Sequence, residues 1–253
     1  MHPYIDLGFI KLPSYGLMLA IAFFVSLVVG MRRAESRGIN REYIAELAFW
    51  VVLIGIVGGR LYFVVEHFSD YIYRPWRMLF LWEGGLGIYG ALLSGFIGGI
   101  IYVKKKRLPF LRTSDVAFSV LPLGQGIGRI GCFLAGCCYG APCECPVGVV
   151  FKDPHSLAPI GIKLYPTQLF ESFAGFVIFL ILSFIFNRAK EDGVITSLYM
   201  ILYGFARFTI EFYRGDARSY IGPISTPQLF SLVFVLAGVL LLFYVKSKKV
   251  VGR

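Results

Sequence analysis

Charged residues are scarce in this chain, and acidic residues are the scarcer kind. Asp, Glu, Lys and Arg make up 16% of the 253 residues, whereas soluble domains contain about a quarter. Hydrophobic residues reach 57%, and no polar tract stands out as a soluble domain, a linker or a low-complexity segment. The composition excludes a soluble globular protein and predicts a membrane protein that forms one transmembrane domain over residues 1–253.

The shortage of acidic residues leaves the chain basic. There are 15 Asp and Glu against 25 Lys and Arg, which gives a formal net charge of +10. Basic loops beside anionic lipid head groups account for such an excess in membrane proteins. The charge therefore predicts contact with membrane lipids and no nucleic-acid partner.

Seven apolar segments are long enough to cross a bilayer, which takes roughly 17 to 25 helical residues. They lie at about 14–31, 43–65, 84–103, 114–137, 167–187, 193–213 and 227–245. The first segment lacks the basic start and small-residue cleavage site of a signal peptide, so we expect a retained helix. The sequence thus predicts an all-α, polytopic integral membrane protein with seven transmembrane helices.

Lys and Arg in the short connections predict the orientation, because cytoplasmic loops hold them in excess. With seven crossings, 15 of these residues fall in one set of connections and 7 in the opposite set. The richer set includes the connection after the first segment and the C-terminal end. We therefore predict the N-terminus outside and the C-terminus in the cytoplasm.

Three arginines fall inside predicted spans: Arg60, Arg129 and Arg207. A charge at the bilayer centre costs about 2.5 to 3.5 kcal/mol even on the permissive insertion scale, so each arginine marks a candidate functional site. All three lie toward the outer ends of outward-running helices, roughly 9 to 14 Å below the surface at 1.5 Å per residue. Guanidinium groups suit phosphate oxygens, so the layer predicts a lipid-phosphate site. Snorkelling to the interface is the alternative, above all for Arg60.

Polar residues are predicted in the same layer. The inward-running helices begin there with Tyr15, Tyr89, Gln168 and Glu171. On the sixth segment, four residues spaced by four, four and three share one helix face: Tyr203, Arg207, Glu211 and Arg214. This face predicts a polar lining for the outer half of the helix. The alternative is that Glu211 only neutralises Arg207.

Six motifs in order resemble the prolipoprotein diacylglyceryl transferases and cover almost the whole chain. They are YGLM at 15–18, GGRLYFV at 58–64, GGLGIYGALLSG at 84–95, GRIGCF at 128–133 followed by Gly140, YPTQLFE at 165–171, and YGFARFTIEFYR at 203–214. The resemblance implies a multi-pass enzyme of the bacterial cytoplasmic (inner) membrane, with its active site toward the outer leaflet. Such an enzyme transfers the diacylglyceryl group of phosphatidylglycerol to the lipobox cysteine thiol of a preprolipoprotein signal peptide. A thioether forms and glycerol phosphate is released, which is the first step of lipoprotein maturation.

The resemblance also implies residue roles. Arg129 and Arg207 would bind the lipid phosphate and act in catalysis, together with Tyr89. The further residues expected to bind phosphatidylglycerol are Tyr15, Tyr203, Glu211, Arg60, Gln168 and Gly140. We expect no cofactor and no metal ion.

Tyr89 stands where the family often has a histidine that has been proposed as the base. A tyrosine is a poor base at neutral pH, because its unperturbed pKa is near 10. Either a neighbouring arginine makes it more acidic or its hydroxyl hydrogen-bonds the lipid, and we favour the hydrogen bond.

The chain departs from the family again at its five cysteines, where Cys132, Ala135 and Cys137 replace the common Asn, Asn and Glu. The cysteines are Cys132, Cys137, Cys138, Cys143 and Cys145. In an oxidising outer compartment, we favour one or two disulfides that hold the loop 138–165 over the site. A metal site is an alternative, although the spacing repeats no zinc-ribbon pair and His155 is the only nearby imidazole. The remaining alternatives are that the cysteines are redox-active or that they are inert free thiols.

Two functions of other classes compete with the transferase. Arginines in a polar cavity would also serve a non-enzymatic carrier or channel for anionic lipids, and redox-active cysteines would serve a membrane thiol oxidoreductase. A carrier needs polar groups through the whole bilayer, but the inner segments 177–186 and 236–245 are almost entirely apolar. A cavity open on one side favours an enzyme.

Overall fold

The computed structural model describes residues 2–6, 8, 11–80, 84–216 and 220–251. The helices are α1 (Ser14–Ser36), α2 (Arg41–Glu66), α3 (Phe68–Tyr71), α4 (Ile88–Lys105), α5 (Phe110–Ala135), α6 (Thr167–Phe186), α7 (Val194–Glu211) and α8 (Thr226–Val251), with a 3-10 helix at Pro75–Leu79. Three short antiparallel strand pairs lie outside the helices. β1 (Tyr4–Asp6) pairs with β2 (Lys11–Pro13) before α1, β3 (Val149–Val150) with β4 (Lys163–Leu164) between α5 and α6, and β5 (Tyr220–Ile221) with β6 (Ile224–Ser225) between α7 and α8.

Six helices in the described part of the chain are long and apolar enough to cross a membrane, namely α1, α2, α4, α5, α6 and α8. The prediction of an all-α, polytopic membrane protein is thereby confirmed. The segment predicted as a further span at 193–213 does form a helix, α7, but it is not among the six. α7 carries two charged residues, Arg207 and Glu211, one helical turn apart.

Two helix boundaries differ from the predicted ones, and the backbone dihedral angles of nearby glycines explain both differences. The third span was expected from residue 84, but α4 begins at Ile88 because Gly84 and Gly85 have φ values of +81° and +79°. The fourth was expected to reach residue 137, but α5 ends at Ala135 because Gly136 has a φ of +80°. Residues with such φ values cannot continue a right-handed helix.

The helices fall into two compact units. The first contains the residues up to Gly30 and those from Ser114 onward, and α7 packs against both α6 and α8 in it. Its buried apolar residues include Ile178, Leu182 and Phe186 on α6 and Ile195 and Tyr199 on α7. The buried carboxylate of Asp115 on α5 accepts hydrogen bonds from the backbone N–H groups of Gly193 and Thr196, at 2.7 and 2.8 Å. These bonds satisfy donors at the start of α7 that have no partner inside the helix.

The second unit, from Met31 to Thr113, is built on the packing of α2 against α4. Small residues line this contact, so the two backbones approach closely. The N–H of Gly87 donates to the carbonyl of Gly59 at 2.9 Å, and the Ser94 hydroxyl donates to the carbonyl of Ile54 at 3.1 Å. A Cβ on Gly90 would lie 2.7 Å from the carbonyl oxygen of Gly58, so glycine is required at this crossing.

In the first unit, the loop between α5 and α6 folds back on the helix ends. Phe151, Ala158 and Leu164 form its small buried core. The segment near Gly140 lies between the strand before α6 and the residues that follow α7. Gly140 N–H donates to the Tyr165 carbonyl at 3.0 Å, and Ala141 N–H donates to the Tyr213 carbonyl at 2.9 Å. These bonds bring the end of α5, the start of α6 and the end of α7 together.

Candidate active site

One carboxylate, Glu171 on the second turn of α6, contacts three arginines from neighbouring segments. Its Oε2 forms an ion pair with Nε of Arg129 on α5. Its Oε1 lies 3.0 Å from Nη1 of Arg214 and 3.6 Å from Nη1 of Arg207 on α7. The Glu171 side chain is only 7% exposed, so these charges interact where water screens them little.

Two further carboxylates complete the set. Glu211 Oε2 lies 2.6 Å from Nη2 of Arg207, one helical turn away on α7. Asp216 accepts two parallel hydrogen bonds from Arg214, at 2.9 and 2.8 Å. We call these six residues the arginine–carboxylate network: Arg129, Glu171, Arg207, Glu211, Arg214 and Asp216. Three positive and three negative charges balance in it, as buried charges require.

Arg214 lies beyond the end of α7, and its guanidinium is almost fully buried. Burial lowers its pKa, but the hydrogen bonds to Asp216 and the charge of Glu171 outweigh that effect and raise the pKa above the ordinary value. The side chain therefore stays a cation and fixes the residues after α7 to the start of α6.

The structure brings Arg129 and Arg207, the two arginines expected at the lipid phosphate, to the same carboxylate. The Arg129 side chain is 26% exposed, so an anion can reach it. Nη1 of Arg207 is buried and has no hydrogen-bond partner among the described residues. A buried donor without an acceptor is costly, by about 1 to 3 kcal/mol and more for a charged group, so this nitrogen is a candidate donor to a ligand oxygen.

The tyrosines expected at the site lie beside the same arginines. Tyr203 stacks on Tyr199, with ring centroids 5.4 Å apart, and its hydroxyl interacts electrostatically with Arg129 and Arg207. Tyr15, at the start of α1, is 40% exposed and lies within electrostatic reach of Arg129 and the nearby thiols. Both tyrosines therefore border the network.

Gln168 and Gly140 both contact neighbouring backbone segments, which gives each of them a structural role. The buried Gln168 side chain donates through Nε2 to the Cys137 carbonyl at 2.8 Å, and its Oε1 has no partner among the described residues. A Cβ on Gly140 would lie 2.5 Å from the Tyr165 carbonyl oxygen and 2.7 Å from that of Tyr213. Gly140 is therefore required for the close approach of three backbone segments.

Arg60 and Tyr89 belong to the other compact unit, residues 31–113. We expected Arg60 to bind phosphate, but its guanidinium donates hydrogen bonds to four backbone carbonyls, at 2.5 to 3.1 Å. The acceptors are Met78, Arg77, Gly84 and Gly85. Arg60 thus holds the segment after the 3-10 helix and has little of its donor fork left for a lipid. Tyr89, the second residue of α4, is 56% exposed.

The cysteines divide into two groups. Cys143 and Cys145 form a disulfide, but they are two residues apart, so the bond links the loop only to itself. The loop is instead held by backbone hydrogen bonds such as that from Cys143 N–H to the Lys163 carbonyl at 2.9 Å. The other three cysteines have free thiols: Cys132, Cys137 and Cys138. Their Sγ atoms all lie within 4.8 Å of one another.

Sequence reasoning missed the central place of Glu171 and the part played by Arg214 and Asp216. It put Glu171 in the polar layer but not among the binding residues, and it put Arg214 on the polar face of the sixth segment without assigning it a role. Charge balance could have identified Glu171 from the sequence, because arginines buried at this depth need acidic partners. Glu171, a few residues inside a predicted span, was an available partner.

Comparison with known proteins identifies the family of the chain. The family model described as "Prolipoprotein diacylglyceryl transferase" matches residues 3–244, which include the whole network. The chain is 36% identical over 230 residues to a protein of Clostridium tetani, covering 91% of this chain and 92% of that protein. It is 40% identical over 240 residues to one of Thermotoga maritima, covering 92% and 80%. Both relatives are named phosphatidylglycerol–prolipoprotein diacylglyceryl transferase.

Proposed function

The chain belongs to the prolipoprotein diacylglyceryl transferase family, and we propose that it transfers the diacylglyceryl group of phosphatidylglycerol to a cysteine thiol of a prolipoprotein. One observation supports a role for particular residues in this reaction. Arg129 and Arg207 contact the same carboxylate, and Nη1 of Arg207 is buried and lacks a hydrogen bond. A phosphodiester oxygen of the lipid would accept that bond.

Binding of the lipid changes the charge balance of the network. The phosphodiester brings one negative charge to arginines that already share Glu171, so it competes with this carboxylate for their donors. Arg129 is the more exposed of the two arginines and would meet the phosphate first. Arg207 would then use its remaining Nη1 donor, and planar guanidinium groups suit such an arrangement. We propose that Tyr15, Tyr203, Glu211, Gln168 and Gly140 shape the same cavity.

The chemical step is a displacement at carbon. The cysteine thiol loses its proton, and its sulfur attacks the glycerol carbon that carries the phosphodiester oxygen. The carbon–oxygen bond breaks, and the electron pair leaves with glycerol phosphate while a carbon–sulfur bond forms. Negative charge grows on the leaving phosphate. Donors of Arg129 and Arg207, already in place in a largely buried site, stabilise that charge in the transition state.

The charge pattern supports an active site toward the outer leaflet. Within the first unit, the network lies at the end of α5, the start of α6 and the end of α7, and Arg188 and Lys190 lie in the connection between α6 and α7, beyond the far end of α6. Basic connections favour the cytoplasm. We therefore propose that α7 is the seventh span of one transmembrane domain in a bacterial inner membrane. The N-terminus is then outside and the C-terminus is in the cytoplasm.

The test is an assay of the purified chain in micelles that contain phosphatidylglycerol and a peptide with a lipobox cysteine. We expect a peptide whose mass increases by one diacylglyceryl group through a thioether, together with free glycerol phosphate. A peptide with serine in place of the cysteine is the matched control and should stay unmodified. Absence of the thioether product from the wild-type chain would contradict the proposed function.

A further inference from the structure

Three thiols meet at the edge of the arginine–carboxylate network. Cys132 is buried in the last turn of α5, and Cys137 and Cys138 lie half-buried in the turn that follows. The three Sγ atoms are within 4.8 Å of one another, and Nη1 of Arg129 lies 4.0 Å from the sulfur of Cys132. We call this group the thiol cluster. Its sequence spacing repeats no zinc-binding pair, so the fold creates a convergence that the spacing does not show.

The backbone at Cys138 is held in an unusual conformation. Cys138 has a φ of +61°, and the only other described non-glycine residue with a positive φ is Arg107. This region favours glycine, and a residue with a side chain occupies it at a cost in free energy. Here the conformation accompanies the approach of the third sulfur to the other two. The carbonyls of Cys137 and Cys138 accept hydrogen bonds from Gln168 and Thr167 at the start of α6, at 2.8 and 2.9 Å.

We propose that Cys132, Cys137 and Cys138 bind one Zn²⁺ ion through their three sulfur atoms. Zinc–sulfur bonds are about 2.3 Å long, which in a tetrahedral site separates the sulfurs by about 3.8 Å. The three sulfurs here all lie within 4.8 Å of one another. No histidine, aspartate or glutamate among the described residues joins the group. The fourth position is therefore open, which is typical of catalytic zinc sites and not of structural ones.

Charge favours a divalent ion here. Three thiolates and Zn²⁺ together carry only one negative charge, and the cationic Arg129 lies 4.0 Å from the Cys132 sulfur. Thiolate ligands also select soft or borderline ions over Mg²⁺ and Ca²⁺.

The open position suggests a role that rests on the proposed function. Each carboxylate of the network is already paired with an arginine, so none of them is placed as an obvious base for the acceptor thiol. A thiol that coordinates zinc gives up its proton, which passes to water. The bound thiolate then attacks the glycerol carbon, and glycerol phosphate leaves with the electron pair. The thioether product is a neutral, weaker ligand and is released, and the zinc ion stays Zn²⁺ throughout.

The binding test uses the full chain in detergent, reduced and stripped of metal with a chelator. Titration with Zn²⁺ against a chromophoric chelator should show one ion per chain, and Co²⁺ substitution should give sulfur-to-metal charge-transfer absorption. Cys132→Ser, Cys137→Ser and Cys138→Ser should each lose the tight binding and the absorption. The double variant Cys143→Ser/Cys145→Ser is the matched control and should keep both, because those sulfurs lie outside the cluster.

Cys138→Gly separates loss of a ligand from loss of the fold. Glycine adopts a positive φ without strain, so this variant should keep or raise the thermal midpoint of the wild-type chain and still fail to bind Zn²⁺ tightly. Zinc bound equally well by Cys138→Gly, or a disulfide found by mass spectrometry among the three cysteines of the native protein, would overturn the proposed site.

The role of the site is tested with the Co²⁺-loaded protein and the lipobox peptide. The cysteine peptide should shift the charge-transfer absorption, and its serine counterpart should not. Transfer should be lost after metal removal and return with Zn²⁺. A spectrum that shifts without any transfer by the zinc-loaded protein would refute the proposed reaction and leave the metal site standing. Full transfer by metal-free protein would refute the catalytic role of the zinc ion alone.

Discussion

Nη1 of Arg207 lies 3.6 Å from Oε1 of Glu171, close enough for an ion pair but too far for a hydrogen bond. The same carboxylate pairs with Arg129 and Arg214. Glu171 therefore holds the arginines in place while it leaves one buried donor of Arg207 without an acceptor. We propose that a lipid phosphate oxygen accepts a hydrogen bond from this donor, and the proposed function depends on that contact.

Glu171→Gln should weaken both the fold and the reaction. The change removes the one negative charge that three buried arginines share, and breaking a buried ion pair typically costs about 3 to 5 kcal/mol. We expect a clearly lower thermal midpoint in detergent by calorimetry or fluorescence. Glu35→Gln is the control, because Glu35 is about half exposed and its pair with Arg41 contributes little. Equal midpoints for the two variants would refute the central place of Glu171.

Gly140→Ala should be severely damaging, whereas Gly128→Ala should not. A Cβ at position 140 would lie 2.5 and 2.7 Å from two carbonyl oxygens of the backbone, which cannot move aside cheaply. At position 128 the nearest atom is 3.7 Å away, in the side chain of Leu19, and alanine favours a helix over glycine by about 1 kcal/mol. Thermal midpoints and transfer rates of the two variants should therefore diverge. Similar behaviour would show that the turn around Gly140 is packed differently.

Arg60→Ala should destabilise a loop without weakening lipid binding directly. Its guanidinium donates to backbone carbonyls at Met78, Arg77, Gly84 and Gly85, so its loss should expose this segment. Hydrogen exchange followed by mass spectrometry should rise in peptides that cover 75–87, while KM for phosphatidylglycerol stays near the wild-type value. A raised KM with unchanged exchange would return Arg60 to the lipid site.

Tyr89→Phe distinguishes a hydrogen-bond donor from a base. Loss of one neutral hydrogen bond costs about 0.5 to 1.5 kcal/mol, which corresponds to a roughly 2- to 13-fold lower transfer rate. If the hydroxyl only binds the lipid, the reduction should be the same at every pH. A reduction that changes with pH would indicate that Tyr89 takes part in proton transfer.

The helices could be predicted well from the sequence because hydropathy is a local property. The segment predicted at 167–187 is α6, Thr167–Phe186, and the one predicted at 43–65 is α2, Arg41–Glu66. Because a charge in hydrocarbon is costly, the sequence also predicts that Arg129 and Arg207 lie in the same layer of the membrane. Two of the boundaries that shifted, at the start of α4 and the end of α5, lie next to glycines whose φ depends on the surrounding chain.

The arginine–carboxylate network, the thiol cluster and the contacts of Arg60 could not be predicted, because they depend on contacts between distant parts of the chain. Glu171 and Arg214 are 43 residues apart, and their hydrogen bond follows from how the end of α7 meets the start of α6. The convergence of Cys132 with Cys138 depends on a turn of unusual backbone conformation, which residue type alone does not predict. The multiple carbonyl contacts of Arg60 likewise exist only once its unit is folded.

The most direct test of the central claim is kcat/KM for phosphatidylglycerol in variants of Arg207. Arg207→Ala removes the donor at the proposed phosphate position, and loss of such a donor typically lowers the rate by about 100- to 1,000-fold. Arg207→Lys should recover part of the rate, because it restores charge without the fork. Arg188→Ala, at the opposite end of α6, should match the wild-type chain. A wild-type kcat/KM in Arg207→Ala would contradict the account.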